Sequence, residues 1–142
     1  MICVVIDTNV LISGTFWSSA SFHVLKLIDE GRIVLSVSRE ILEEYDELLH
    51  RDEILSKSAY SKERAQTAAK LLTKAIIVEP SIIIQAVKDD PDDNKFIEAA
   101  VEGNAAYIIS QDNHLLTLKE FHSIKILTPE EFLALFAQSR KQ

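Results

Sequence analysis

The chain opens on a run that few architectures can accommodate. Ile2-Cys3-Val4-Val5-Ile6 is apolar and mostly β-branched, and it ends abruptly at a carboxylate, Asp7. A run without polar alternation suits a strand buried on both faces, as in the middle of a parallel sheet. Asp7 then stands at the carboxyl end of a central strand, the edge where open α/β sheets bind ligands. A carboxylate leaving a dry strand is costly unless something pairs with it. The plainer role for such a residue is to cap the loop that follows.

The rest of the chain alternates apolar runs with helical periodicity. Val10, Leu11 and Ile12 continue as loop or helix. Ser13, Gly14, Thr15, Phe16 and Trp17 read as a loop. A helix is expected over about 20–30, ended by Gly31. Arg32–Leu35 reads as a second strand, with Ser36 and Ser38 after it, and 39–51 as a helix with Ile41, Leu42, Tyr45, Leu48 and Leu49 along one side. Residues 52–60 are polar and irregular. Ser61 begins a further helix, and Ala75–Val78 is a third strand, which Ile82, Ile83 and Ile84 extend past a kink at Pro80. Asp89-Asp90-Pro91-Asp92-Asp93 opens a helix to about 102, closed by Gly103. Ala106–Ser110 and Ser123–Leu127 are the fourth and fifth strands, with a short helical turn over 113–118 between them. Thr128 and Pro129 start the last helix as N-cap and first helical residue. The expected architecture is a single domain over 1–142, a three-layer α/β/α fold with a central, mostly parallel five-stranded sheet.

With 142 residues, 47% apolar and 26% charged, the chain has enough material for one real core. No apolar run is long enough to span a membrane, and no signal peptide is visible, so a cytoplasmic location is expected. The lone cysteine, Cys3, allows no internal disulfide or cysteine metal cage and reads as buried packing. A net charge of −7 argues against broad electrostatic binding of nucleic acid. It argues much less against a site where carboxylates gather around divalent cations, because the ions invert the local field.

Four carboxylates stand out: Asp7, Glu44, Asp93 and Asp112. Glu40, Glu43 and Glu47 suit a solvated helix face, whereas Glu44 borders the apolar stripe of its helix, and the choice between Glu43 and Glu44 stays open on pattern alone. Asp89, Asp90 and Asp92 suit a helix N-terminus, with Asp90 before Pro91 as N-cap. Asp93 instead heads the series Asp93, Phe96, Ile97, Ala100, Val101 and should face inward. Asp112 follows the fourth strand, on the same sheet edge as Asp7 if the strands are parallel; capping the next helical turn is its plainer role. Four carboxylates cannot stay ionised together without cations. Oxygen-only ligands suit Mg²⁺ or Mn²⁺. The reaction class that follows is metal-assisted hydrolysis of a phosphodiester.

These residues also carry a family resemblance. Asp7-Thr8-Asn9-Val10-Leu11 resembles the opening motif of PIN domains, and Ile41-Leu42-Glu43-Glu44-Tyr45 their second acidic motif, with Glu44 at the matching position. Asp89-Asp90-Pro91-Asp92-Asp93-Asn94-Lys95-Phe96 resembles the third, with Asp93 matching, and Ile109-Ser110-Gln111-Asp112-Asn113-His114-Leu115-Leu116 the fourth, with Asp112 matching. Each motif is weak alone; the four in order across the chain are specific. The resemblance implies a PIN fold and a metal-dependent endoribonuclease using Mg²⁺ or Mn²⁺, closest to the VapC-like toxins of toxin–antitoxin pairs. It implies RNA as substrate, a small antitoxin protein as partner and a homodimer; Phe16 and Trp17, in the loop after the first strand, are either tucked over the sheet or part of a partner surface. Thr8, Asn9 and Ser110 match positions that assist the acidic centre. One departure is His114, where many relatives carry a further acidic residue; this puts a second metal site in doubt. Arg39, Arg51, Lys95 and Lys119 could touch phosphate but read better as solvated charge.

Three rivals compete. A haloacid-dehalogenase-type phosphotransferase needs a second Asp two residues after the first, where this chain has Asn9. A receiver domain needs an acidic pair ahead of its phospho-accepting Asp, and no convincing pair is found. A PIN-like RNA- or protein-binding module without catalysis is opposed by the retention of Asp7, Glu44, Asp93 and Asp112.

Overall fold

The fold, described by a computed structural model for residues 1–16, 19–49, 51 and 61–139, is built around its first strand. In β1 (Cys3–Ile6), Val4, Val5 and Ile6 are each 0% exposed. Val4 and Ile6 enter one apolar cluster and Val5 another, so both faces of the strand are covered, as the unbroken run predicts. After β1 come α1 (Thr8–Phe16), α2 (Ser19–Asp29), β2 (Val34–Ser38), α3 (Arg39–Leu49), α4 (Ser61–Leu72) and β3 (Ile76–Val78). A single 3₁₀ turn over Pro91–Asp93 then leads into α5 (Asn94–Glu102). The chain continues with β4 (Tyr107–Ile109), α6 (Asn113–Leu116), β5 (Glu120–Phe121), β6 (Ile124–Leu127) and α7 (Pro129–Ser139).

The sheet order is β3-β2-β1-β4-β6-β5, parallel throughout except for β5, which runs antiparallel to β6. The expected five strands are therefore six; a two-residue edge strand leaves no apolar run to read. One face is covered by α1, α2, α4 and α7, through Val10, Leu11, Val24, Ile28, Leu71 and Phe132. The other is covered by α5 and α6, through Phe96, Ile97, Ala100 and Leu115. Helix α3 serves both clusters, with Tyr45 and Leu49 in the first and Ile41 in the second. The expected three layers are present.

The order of the strands creates the functional edge. The chain builds outward from β1 to β2 and β3, then returns to lay β4 on the other flank of β1. That reversal opens a crevice at the carboxyl ends of β1 and β4. Ile6 pairs with Ile109, and the Asp7 amide donates to the Ile109 carbonyl at 3.0 Å, so Asp7 and Ser110 leave the sheet side by side.

Several local readings are corrected. Residues 13–16 are not loop but the second half of α1, and Phe16 is 4% exposed in the core. Gly14 is there for contact: a Cβ on it would lie 2.8 Å from both Leu25 Cδ1 and the Ser21 carbonyl oxygen, so it sets how closely α1 and α2 approach. The second strand runs to Ser38 because Ser36 and Ser38 are buried, and Ser38 Oγ accepts from the Ile41 amide at 3.3 Å to start α3. Cys3 is half-buried, with Sγ 3.0 Å from Ser36 Oγ. Ile82 and Ile83 are exposed and Ile84 is not in a strand; the Ile84 amide instead donates to Glu98 Oε2 at 2.8 Å. Trp17, His50 and the 52–60 stretch lie outside the described residues. The two ends read as expected: Gly31 closes α2 with φ +73°, and Thr128 and Glu131 form a reciprocal capping box at 3.0 and 3.1 Å.

Candidate metal centre

Asp7 is 3% exposed and uses both carboxylate oxygens. Oδ1 accepts from the Val10 amide at 2.8 Å, which caps α1; Oδ2 accepts from the Ser110 hydroxyl and from the Gln111 amide at 3.3 Å. Burial raises its pKa, and these three hydrogen bonds pull the other way. The capping role and the site role therefore coexist in one side chain. Ser110 Oγ also accepts from the Asp112 amide at 2.9 Å, so this single hydroxyl fixes the strand-end loop against Asp7.

Asp112 caps α6, its Oδ1 accepting from the His114 amide at 2.8 Å. Asp93, at the end of the 3₁₀ turn, is 8% exposed, and its Oδ2 is buried without a hydrogen-bond partner. Its pKa is pushed up to about 8, first by burial, then by a hydrogen bond with Asp112, then by the charges of Asp112, Asp90 and Asp7. A carboxyl in that position keeps a proton near neutrality because it is buried and faces other carboxyl groups.

Glu44 faces a different partner. Its Oε2 lies 2.5 Å from Lys95 Nζ, which also donates to Asp92 Oδ2 at 2.7 Å. Lys95, expected as solvated charge, is 4% exposed, though Glu44 is 31% and Asp92 67% exposed. Burial alone would lower the ammonium pKa; the hydrogen bonds and charges of Asp92 and Glu44 raise it instead. Of the supporting residues, Thr8 is buried with Oγ1 unpartnered and Asn9 is exposed.

Two further groups, Asp90 and His114, stand beside these candidates. Asp90 was read as an N-cap, but its side chain makes no cap bond. It lies instead with Asp93, Asp112 and His114, one ligand atom of each falling within 4.8 Å of the others. The loop carrying it is held by Asn94. That side chain accepts from the Ala86 and Val87 amides at 3.0 and 2.7 Å and donates to the Val87 and Pro91 carbonyls at 3.3 and 3.0 Å. Asp7 and Glu44 are outside this closest group; Asp7 joins it electrostatically, through its effect on Asp93. The donor set is mostly carboxylate with one imidazole and includes a buried oxygen lacking a partner. It fits a divalent cation.

The sequence model of the PIN domain matches residues 3–114. The chain belongs to the PIN domain family. PIN domains are generally nucleases. The uncharacterized protein MJ1680 of Methanocaldococcus jannaschii is 30% identical, over 94% of this chain and 90% of that protein. Among solved structures, PAE2754 from Pyrobaculum aerophilum superposes with a TM-score of 0.64 at 15% identity, over 96% of this chain and 90% of the other. VapBC2 from Rickettsia felis, solved bound to a DNA fragment from its promoter, gives 0.58 at 13% identity, over 88% and 97%. At these identities the likeness is one of fold, and the PIN architecture is the same. No helix among the described residues is long and apolar enough to cross a membrane.

Proposed function

We propose that this PIN domain is a metal-dependent endoribonuclease, the toxin of a toxin–antitoxin pair, with residues 1–142 forming a single domain. The observation that supports it most is the Asp93 Oδ2 atom, buried and unpartnered beside Asp112 and Asp90. A carboxyl held that way is accommodated by keeping its proton or, once ionised, by a cation that reaches it.

The proposed site is Asp7, Glu44, Asp93 and Asp112, assisted by Thr8, Asn9 and Ser110, and it would hold Mg²⁺ or Mn²⁺. The cation supplies Lewis acidity toward the phosphate and a bound water of lowered pKa. The chain's own residues prepare for it. Ser110 holds Asp7 in one orientation; Asp93 gives up its proton as the cation is bound. Lys95 keeps Glu44 at the edge of the centre, where that carboxylate orients water or completes the ligand set. The proposal requires no histidine pair to assist attack by a 2′-hydroxyl, so RNA products should carry 5′-phosphate and 3′-hydroxyl ends.

The test is single-stranded RNA incubated with the purified chain in Mn²⁺ or Mg²⁺. We expect slow cleavage, its loss in EDTA and its loss in Asp7→Asn. Products ending in 2′,3′-cyclic phosphate, or an Asp7→Asn variant as fast as wild type, would overturn the reading. The antitoxin partner, the cytoplasmic location and a homodimer are part of the same proposal. For the dimer, Phe16 no longer serves as an argument, since it is buried in α1. Sedimentation at micromolar concentration should still give a dimer, and a monomer alone would refute it.

A further inference from the structure

His114 occupies a position that the cluster makes chemically specific. Its Nδ1 lies 3.4 Å from Asp112 Oδ1 and 3.8 Å from Asp90 Oδ2. Its backbone is fixed by the same Asp112 that stands opposite its ring, through the 2.8 Å bond from the His114 amide. Asp90 is carried on the loop pinned by Asn94. Asp93, whose Oδ2 is buried and unpartnered, belongs to the same group. Ligand atoms of all four groups lie within 4.8 Å of one another; the Asp90 and Asp93 side chains make no cap bond, whereas Asp112 caps α6.

We infer that Asp90, Asp93, Asp112 and His114 form one cation site in which His114 Nδ1 is a ligand, and that this nitrogen turns the site from Mg²⁺ toward Mn²⁺. The inference rests on the reading of the centre as a divalent-cation site. Mg²⁺ is bound through oxygen and keeps several of its waters; a first-row divalent cation accepts imidazole nitrogen more readily than Mg²⁺ does, and Mn²⁺, though lowest in that series and also at home among carboxylates, tolerates one nitrogen in such a set. A carboxylate at position 114 would give an all-oxygen site and an extra negative charge. Histidine gives up that charge and replaces it with a softer donor. The alternative is a plain ion pair in which a charged His114 offsets the carboxylates, and no metal touches the ring.

Mn²⁺ binding to the full chain, followed by electron paramagnetic resonance without RNA, separates these cases. The expected wild-type result is bound Mn²⁺ with a nitrogen coupling in the pulsed spectrum, and Mg²⁺ competing poorly. In His114→Ala the coupling should vanish and Mn²⁺ affinity fall by about tenfold or more, with the Mg²⁺ affinity changed much less. His114→Asp should bind Mn²⁺ without the coupling and let Mg²⁺ compete. Since His114 is 49% exposed, neither substitution threatens the core. Bound Mn²⁺ without nitrogen coupling in the wild type, or a coupling that survives in His114→Ala, would overturn the assignment while leaving the nuclease reading intact. Failure of the wild type to bind either cation would overturn both.

Discussion

Asp93 carries the sharpest consequence at the scale of one residue. Its pKa rises from 3.8 to about 8 on folding without metal. The folded chain therefore holds more protons than the unfolded chain between about pH 4 and pH 8, and this group withdraws stability as the pH climbs through that window. Asp7 is shifted the same way, by burial, and adds to the trend. Urea unfolding in EDTA should show the metal-free protein losing stability from pH 5 to pH 8, and Asp93→Asn should remove much of that loss. Equal slopes in the two proteins would refute the assignment of the strain to Asp93. The inward turn of Asp93 was legible because a carboxylate heading an apolar i, i+3, i+4 series has no solvated face to occupy. Asp90 and Lys95 were not. An Asp before a Pro carries the local signal of a cap, and nothing local says that its side chain declines the bond. The burial of Lys95 depends on Glu44, fifty-one positions away, and no spacing rule reaches that far.

At the scale of elements, the strands were readable wherever both faces were dry. Runs such as Val4–Ile6 and Ile108–Ile109 cannot be solvated, so their place in the sheet follows from composition alone. The errors came where a local breaker signal had a tertiary explanation. Ser13-Gly14-Thr15 has turn chemistry, yet it is helical, with Thr15 Oγ1 bonded back to the Leu11 carbonyl at 2.7 Å and to Tyr45 Oη at 2.8 Å. Gly14 is small because α2 passes against it. The expectation is that Gly14→Ala destabilises by roughly 1–3 kcal/mol from overpacking, which outweighs the roughly 1 kcal/mol that alanine gains in a helix. One of the atoms in the way is a backbone carbonyl, which cannot step aside as a side chain can. A thermal scan reading an unchanged or raised Tm would show that the two helices can separate at little cost. Ile82–Ile84 failed as a strand for a related reason: the Ile84 amide is taken by Glu98 and the next turn by Asn94, so the segment is tied to α5 and not to the sheet.

For the whole molecule, the net charge of −7 and the placement of the acids have to be reconciled with an anionic substrate. Under the proposed function, cations bound at the centre would neutralise it and invert the local field. A ligand selective for the folded state stabilises it by about 2.7 kcal/mol at a hundredfold excess over its Kd, or roughly 5–10 °C for a chain of this size. The measurement is a pair of melting curves at pH 8, with and without millimolar Mn²⁺, for the wild type and Asp93→Asn. The account predicts opposite signs in one substitution: Asp93→Asn melts higher than wild type in EDTA, because it removes a carboxylate penalised first by burial and then by its acidic neighbours, and gains little from Mn²⁺, because it has lost a ligand. A wild type that does not respond to Mn²⁺, or an Asp93→Asn that melts lower in EDTA and responds in full, would contradict it.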